Sequence, residues 1–249
     1  MLRLLSILLI LFGTASKAEE IVLGLSQDEV AITATFDGSE VLVFGAIKRE
    51  APIEAGDLNV IVTVAGPDQS VTVRRKQKRF GIWVNTDSVD IEAAPSFYAV
   101  ASSAPLETAL RPSEDFRHHI TIPSVVRRVG ANVMDSQAFS GALTRIKLGN
   151  ETFQNLEGAV DFEQGTLFRT EISLPANLTE GEYVTRIFLT RDGTVIDQFE
   201  TIIPVRKVGL ERWLYRLAQD NAVIYGLMSL AIAIAAGWLA SAAFSLLRR

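Results

Sequence analysis

The chain has 249 residues, and its 24 Lys and Arg against 29 Asp and Glu give a formal net charge of −5 at pH 7. An acidic chain repels nucleic acid and anionic lipid, so the overall charge predicts neither as a partner. The sequence contains no cysteine, which excludes disulfides, thiol catalysis and thiolate metal sites.

Residues 1–18 have the three parts of a secretory signal. Arg3 supplies a positive start, residues 4–12 are almost entirely apolar, and Ser16 and Ala18 are small residues next to a cleavage point. The apolar run is too short for a stable membrane span. We therefore predict cleavage after Ala18, with an uncleaved N-terminal anchor as the alternative.

Residues 19–104 are predicted to form an N-terminal β-sandwich domain. Segments rich in β-branched residues, separated by polar turns, lie at 21–25, 29–36, 40–47, 59–65, 71–75, 80–85 and 88–93. Strands that recur about every ten residues indicate a sandwich rather than a βαβ sheet.

A run of positive charge stands out in this acidic region. The basic side chains and one of the two aromatic neighbours of the run form the candidate set: Arg74, Arg75, Lys76, Lys78, Arg79 and Trp83. Guanidinium groups suit the oxygens of sulfonate, sulfate or phosphate. The same run suits docking of an acidic partner or the solvated end of a hairpin. All three interpretations stay open, and these six residues are the candidate site for an anion or a partner.

Residues 105–150 are predicted to be a partly helical connector. Its clearest helix covers residues 136–148, where Phe139, Ala142, Leu143 and Ile146 fall on one face. Lys147 lies in the last turn, and Gly149 follows as a stop signal.

The connector also contains both histidines of the chain, His118 and His119. Neighbouring histidines can bind a metal, but this sequence does not offer the further ligands that zinc or copper needs. A polar surface patch is the preferred interpretation, and no metal or cofactor is predicted. The chain also lacks a G-x-S-x-G elbow, a P-loop and a dinucleotide fingerprint. We therefore predict no enzymatic activity and no catalytic residue.

Residues 151–206 are predicted to be an Ig-like β domain. Segment 178–183 (LTEGEY) has the spacing of a tyrosine corner, in which the Tyr183 hydroxyl ties down a turn. The alternative is that Tyr183 is an ordinary strand aromatic. The predicted fold class is a mainly β ectodomain of one or two Ig-like sandwich domains with a connecting helix, plus one C-terminal transmembrane helix.

The C-terminal region is predicted to attach the chain to a membrane. Residues 207–221 form a juxtamembrane amphipathic helix, and residues 222–247 contain no charged residue and are long enough to span a bilayer. Arg248 and Arg249 favour the cytoplasmic side. Removing them with Arg3 and Lys17 leaves 20 basic against 29 acidic residues, so an acidic ectodomain is expected on the outer side.

Small residues recur every four positions along this predicted helix, and a spacing of four aligns them on one face. They are Ser229, Ala233, Gly237, Ser241 and Ser245. Small residues let a second helix approach closely. The stripe is a candidate for helix–helix packing with a membrane-protein partner or a second copy, although small residues are common in such helices.

Short sequence segments spread over the chain resemble those of a known family. They lie at 43–46 (VFGA), 65–67 (AGP), 73–76 (VRRK), 81–85 (GIWVN), 95–100 (PSFYAV), 174–176 (LPA), 209–213 (GLERW), 225–227 (YGL) and 236–240 (AGWLA). Together they resemble a family of alphaproteobacterial transmembrane proteins over nearly the whole mature chain. The resemblance implies a transporter in the same membrane as a candidate partner, and it implies no established activity.

These features predict a single-pass protein of a bacterial inner membrane, with its β-rich domain in the periplasm and its C-terminus in the cytoplasm. The preferred function is a non-catalytic accessory or interaction subunit of a membrane complex. The alternative is a membrane-tethered periplasmic binding module for a small anion. The expected partners are the lipid bilayer and a membrane protein or a second copy, and no nucleic acid.

Overall fold

A computed structural model describes residues 19–27, 29–33, 36–49, 55–126, 136–207 and 210–247. The signal predicted for residues 1–18, and Arg248 and Arg249, lie outside the described residues. The strands are β1 (Glu19–Leu25), β2 (Val30–Ile32), β3 (Ser39–Arg49), β4 (Leu58–Ala65), β5 (Asp68–Arg79), β6 (Ile82–Pro95), β7 (Tyr98–Ser102), β8 (Phe153–Glu157), β9 (Asp161–Glu163), β10 (Leu167–Leu174), β11 (Gly181–Arg191) and β12 (Thr194–Lys207). The helices are α1 (Leu106–Ala109), α2 (Pro112–His118), α3 (Ile122–Val125), α4 (Ser136–Gly149), α5 (Leu210–Asp220) and α6 (Ala222–Leu247).

The strands form two sheets and a separate hairpin. Sheet A has four antiparallel strands in the order β1-β3-β10-β9. Sheet B has six strands in the order β2-β12-β11-β4-β7-β8; its inner pairs are antiparallel, and both outermost pairs are parallel. The hairpin consists of β5 and β6. The structure therefore confirms a mainly β fold.

The first hydrophobic core lies between the two sheets. Val41 and Ile172 of sheet A and Val62 and Ile187 of sheet B belong to it, and each is at most 2% exposed. Strand β10 alternates strictly between exposed and buried positions. This period-two pattern is typical of a strand with one face on a core and the other in solvent.

The second hydrophobic core lies on the opposite face of sheet B. Phe188, the residue after Ile187, is fully buried there together with Tyr98 and Phe153, and with residues of the connector helices and the hairpin. The Tyr98 hydroxyl donates to the Ile120 carbonyl at 2.6 Å. Sheet B is thus covered on both faces, and it is the middle of three layers.

Strands from distant parts of the sequence share these sheets. Strand β3 pairs with β10 along eight residues, and β4 pairs with β11 along eight more. The regions 19–104 and 151–206 therefore contribute to the same sheets and to one continuous core. The sequence predicted one or two sandwich domains, and this strand pairing supports a single one. Residues of the region 105–150 cover the outer face of sheet B.

The hydrogen bond expected of a tyrosine corner is present. The Tyr183 hydroxyl donates to the Thr179 carbonyl at 3.0 Å, and the ring is 1% exposed, with its centroid 6.1 Å from that of Phe97. Gly66 lies against this ring, and a Cβ at position 66 would stand 3.0 Å from it and 2.6 Å from Ser96 Oγ. Burial raises the pKa of Tyr183.

Helix α4 is confirmed, but its buried face differs from the predicted one. Phe139 and Leu143 are buried as expected, whereas Ile146 is 60% exposed. Lys147 takes the buried position, because residues 139, 143 and 147 are four apart and share one face. Its Nζ donates to the carbonyls of Pro95 and Ser96 at 3.0 and 3.1 Å. Burial lowers the pKa of Lys147.

The C-terminal helices occur where the sequence predicts them. Helix α5 covers Leu210–Asp220 within the predicted 207–221, and α6 covers Ala222–Leu247. Within α6, Ala222–Ser241 is long and apolar enough to cross a membrane, with a mean hydropathy of 2.0 and none of its most apolar stretch buried. The amide of Tyr225 donates to the Asn221 carbonyl at 3.0 Å, which links the two helices in a helical hydrogen-bond pattern.

Candidate functional site

The basic run lies on a long two-stranded arm. Strands β5 and β6 pair from Asp68 opposite Pro95 to Arg79 opposite Ile82. The proximal half is held in the second core through Val73, Val89, Ile91 and Ala94, which are 0–8% exposed. The distal half is exposed on most of its surface. The fold therefore anchors one end of the arm and leaves the other open to a ligand or partner.

Charge is divided along this arm. Residues 74–85, the distal half, carry five positive side chains and no negative one, whereas residues 68–73 and 86–95 carry four negative side chains and no positive one. The division is marked by a β-bulge, because Arg75 pairs with Asp87 and Lys76 with Asn85. The domain is acidic as a whole, but the end of its arm presents a cationic surface.

The tip of the arm exposes three large apolar side chains. Phe80 is fully exposed, and Ile82 and Trp83 are 64% and 67% exposed. Lys78 lies opposite Trp83, and Arg79 lies opposite Ile82. Because paired residues project from the same face of a hairpin, each face of the tip combines a cation with an apolar group.

The turn at the tip holds Phe80 in an unfavourable backbone conformation. Phe80 has φ of +49° and Gly81 has φ of +87°, as a two-residue type I′ turn requires. Glycine adopts this region freely, but for other residues the left-handed conformation costs roughly 1–2 kcal/mol. Asn-Gly is the usual pair in such turns, so an exposed phenylalanine here is not explained by the turn.

The base of the basic run forms a different surface. Arg74 and Arg75 line a groove of about 230 Å³ between the hairpin and α4, and Arg145 of α4 lines it too. The Arg75 guanidinium stacks over the Phe139 ring, 4.7 Å from its centroid. Three guanidinium groups therefore border one groove. The sequence did not identify Arg145, because only tertiary packing brings α4 beside β5.

The predicted site residues are thus divided between two surfaces. Arg74 and Arg75 line the groove, whereas Lys78, Arg79 and Trp83 lie at the tip. Lys76 is exposed beside the bulge.

His118 is the last residue of α2, and His119 caps the helix at the tight turn that follows. His118 Nε2 is 3.7 Å from Glu114 Oε2, and His119 has φ of +51°. Both backbone carbonyls accept hydrogen bonds from the Arg186 guanidinium, at 2.8 and 3.1 Å. Within the described ranges, no group of three His, Asp or Glu side chains could hold a metal ion. The contacts of these residues are those of a structural turn.

Asp115 holds the same turn from the other side. Its carboxylate accepts hydrogen bonds from the amides of Ile120 and Thr121 at 3.1 and 2.7 Å, and from the hydroxyls of Thr121 and Ser124 at 2.7 and 2.5 Å. Burial raises the pKa of Asp115, but these hydrogen bonds outweigh burial, and the pKa lies below its usual value.

A cleft of about 350 Å³ borders this turn, and residues of the regions 19–104, 105–150 and 151–206 line it. Arg186 and Tyr98 lie beside His118 and His119, and Glu182 is among the acidic lining residues. Burial raises the pKa of Tyr98 to about 12, so the phenol stays neutral. Sequence reasoning did not single out Arg186, because an isolated arginine in a strand carries no motif.

The small-residue stripe lies along α6. Ser229, Ala233, Gly237 and Ser241 are exposed, and Ser245 follows in the last turns of the same helix. A Cβ added at Gly237 would meet nothing within 4 Å. The chain itself therefore has room for a side chain at this position.

A family model matches most of the chain. The family described as "Putative transmembrane protein (Alph_Pro_TM)" matches residues 20–246. No curated protein matches this sequence. Among solved structures, the crystal structure of dimeric latent PorU from Porphyromonas gingivalis has 8% identity and a TM-score of 0.14, and the match covers 78% of this chain and 24% of that chain. That TM-score is too low to support an argument about fold.

Proposed function

Because the chain belongs to the Alph_Pro_TM family of transmembrane proteins, whose match covers residues 20–246, we propose that it is a single-pass protein of a bacterial inner membrane. Its β-rich, Ig-like domain lies in the periplasm and its C-terminus in the cytoplasm. The signal-like residues 1–18 and the terminal Arg248 and Arg249 support this orientation. Its proposed role is that of a non-catalytic accessory subunit of a membrane complex, such as a transporter.

The apolar helix α6 carries this proposal. The most apolar stretch of its span Ala222–Ser241 is not buried against the part of the chain that the structure describes, so its circumference is available to lipid or to another helix. Helices associate in lipid through close packing of small residues, which the stripe through Gly237 offers. Anchoring in the same bilayer also raises the local concentration of the β-rich domain near a partner, so modest contacts suffice.

We expect Gly237→Leu to lower the yield of the cross-linked complex several-fold, because leucine keeps the helices apart. The measurement is cross-linking of intact cells that express an internally tagged chain, followed by gentle solubilisation and identification of what co-purifies. Ala235→Leu is the matched control, since position 235 lies two residues from 233 and 237 and therefore on the opposite face. If a multi-pass protein co-purifies equally well with both variants, the small-residue stripe does not form the contact. Recovery of the chain alone would contradict the accessory role.

A second candidate function is a membrane-tethered binding module for a small anion. The groove lined by Arg74, Arg75 and Arg145 supports it, since guanidinium groups bind sulfate, sulfonate or phosphate oxygens through paired N–H donors. Lys76 and Lys78 add positive charge further along the arm.

We expect titration of the detergent-solubilised full chain with sulfate, phosphate or an alkyl sulfonate to show saturable heat that weakens as salt increases. Arg145→Gln should weaken this binding about tenfold or more, because a charged hydrogen bond contributes about 1.5–3 kcal/mol. Arg169→Gln is the control, since Arg169 lies on β10 and its charge pairs with Asp161 at 3.1 Å. A flat titration of the unsubstituted chain would end this hypothesis.

A further inference from the structure

The base of the hairpin and the route to the membrane helix lie at the same end of sheet B. Ala65, the last residue of β4, pairs with Val184, and Val205 near the end of β12 pairs with Gly181. The hairpin begins three residues after Ala65, and Pro67 packs so closely on Gly181 that a Cβ there would lie 2.8 Å from Pro67 Cγ. The base of the arm and the start of the C-terminal segment are therefore neighbours at the ends of β4 and β12.

The connection from this end of the sheet to the membrane is short. Helix α5 starts at Leu210, soon after β12 ends at Lys207, and α6 starts at Ala222. An 11-residue helix is roughly 17 Å long. The part of the arm from Val73 to Phe80 extends roughly 23 Å at the usual rise of a strand. The arm is thus comparable in length to the link that holds the domain to the bilayer.

The composition of the tip matches a lipid interface. Aromatic rings such as those of Phe80 and Trp83 suit the boundary between headgroups and acyl chains. Five cations and no anion in residues 74–85 suit negatively charged headgroups. The net acidity of the chain does not oppose this contact, because exposed charges beyond about 10 Å are largely screened at physiological salt.

We propose that the tip of the hairpin inserts Phe80, Ile82 and Trp83 into the headgroup region of the anionic bilayer that holds α6, with Lys78 and Arg79 on lipid phosphates. The exposed phenylalanine in a turn that favours asparagine is explained by this contact, since its ring leaves water only when the tip meets the membrane. Two attachments, the helix and the arm, then fix the orientation of the β-rich domain above the bilayer.

The absence of cysteine allows a direct test in the full chain. Ile82→Cys carries an environment-sensitive fluorophore, and the protein is reconstituted in vesicles of phosphatidylethanolamine and phosphatidylglycerol. We expect the emission to shift to shorter wavelength and to be quenched by lipids with a nitroxide near the headgroup. Phe116→Cys, at a position 80% exposed on α2, is the control and should show neither effect. In vesicles of phosphatidylcholine alone, the shift at position 82 should be smaller.

Two variants separate insertion from folding. Lys78→Glu with Arg79→Glu should abolish the quenching, because the reversed charges repel anionic lipid. Phe80→Asn should reduce it while leaving the urea unfolding midpoint unchanged or higher, since asparagine suits the turn. Equal quenching at positions 82 and 116 would overturn the proposal. The label at position 82 could instead be shielded from water in native membranes but not in vesicles of the purified chain. That result would also overturn the proposal and would assign the tip to a protein partner.

Discussion

Replacing Glu19 by alanine is expected to lower the free energy of unfolding by about 3–5 kcal/mol, the range for breaking a buried ion pair. Glu19 Oε1 is 3.0 Å from Arg49 Nε, and Oε2 is 2.7 Å from Arg191 Nη2. All three side chains are at most 13% exposed, and they join β1, β3 and β11. Removing the carboxylate leaves two guanidinium groups close together with little access to water.

The measurement is urea unfolding of the detergent-solubilised chain, with the circular dichroism of the β-rich domain as the signal. Glu20→Ala is the matched control. The Glu20 carboxylate is 63% exposed and 3.6 Å from Lys48 Nζ, so its removal should change stability by less than about 1 kcal/mol. Equal effects of the two substitutions would show that the buried cluster does not contribute as its geometry indicates.

Alanine at either of the consecutive residues Ile187 and Phe188 is expected to destabilise the domain strongly. The expected losses are about 2–5 kcal/mol for Ile187→Ala and about 3–5 kcal/mol for Phe188→Ala, including the cavity that each leaves. Both side chains are fully buried, Ile187 against sheet A and Phe188 against the connector helices and the hairpin. In a two-layer sandwich, one of two consecutive strand residues faces solvent and tolerates truncation.

This pair therefore tests the three-layer arrangement by unfolding in urea. Ile202→Ala is the control, because Ile202 lies on a strand of sheet B and is 49% exposed. This substitution should lower the free energy of unfolding by about 1 kcal/mol or less. A mild effect of Phe188→Ala beside a severe effect of Ile187→Ala would contradict the helical layer and favour a two-layer sandwich.

Local sequence patterns predicted the elements that depend on neighbouring residues. Helix α4 follows from its period and from Gly149, and the apolar helix α6 follows from the uncharged stretch. The tyrosine corner follows from the spacing up to Tyr183, and its hydrogen bond to Thr179 is present. The family resemblance is confirmed by the match over residues 20–246. Each of the structural features is encoded within a short window of sequence. The family resemblance depends on short segments of sequence that can be recognised without the structure.

Strand pairing could not be predicted in this way. Alternation indicates a strand but does not name its partner, and β4 meets β11 across more than a hundred positions of sequence. The same limit applies to the buried face of α4. Hydrophobicity predicted Ile146 inward, but the packed helix buries Lys147, because the carbonyls of Pro95 and Ser96 satisfy its ammonium group.

The sequence by itself therefore determined the class of this protein: an acidic, cysteine-free, mainly β chain with one C-terminal helix fit to span a membrane. It also located the basic run that marks the hairpin. Only the tertiary structure decided that one sheet is buried on both faces, that Arg145 joins Arg74 and Arg75, and that Glu19 lies between two arginines. The physical reason is that periodicity and charge act over a few residues, whereas burial and ion pairing depend on which distant segments the fold brings into contact.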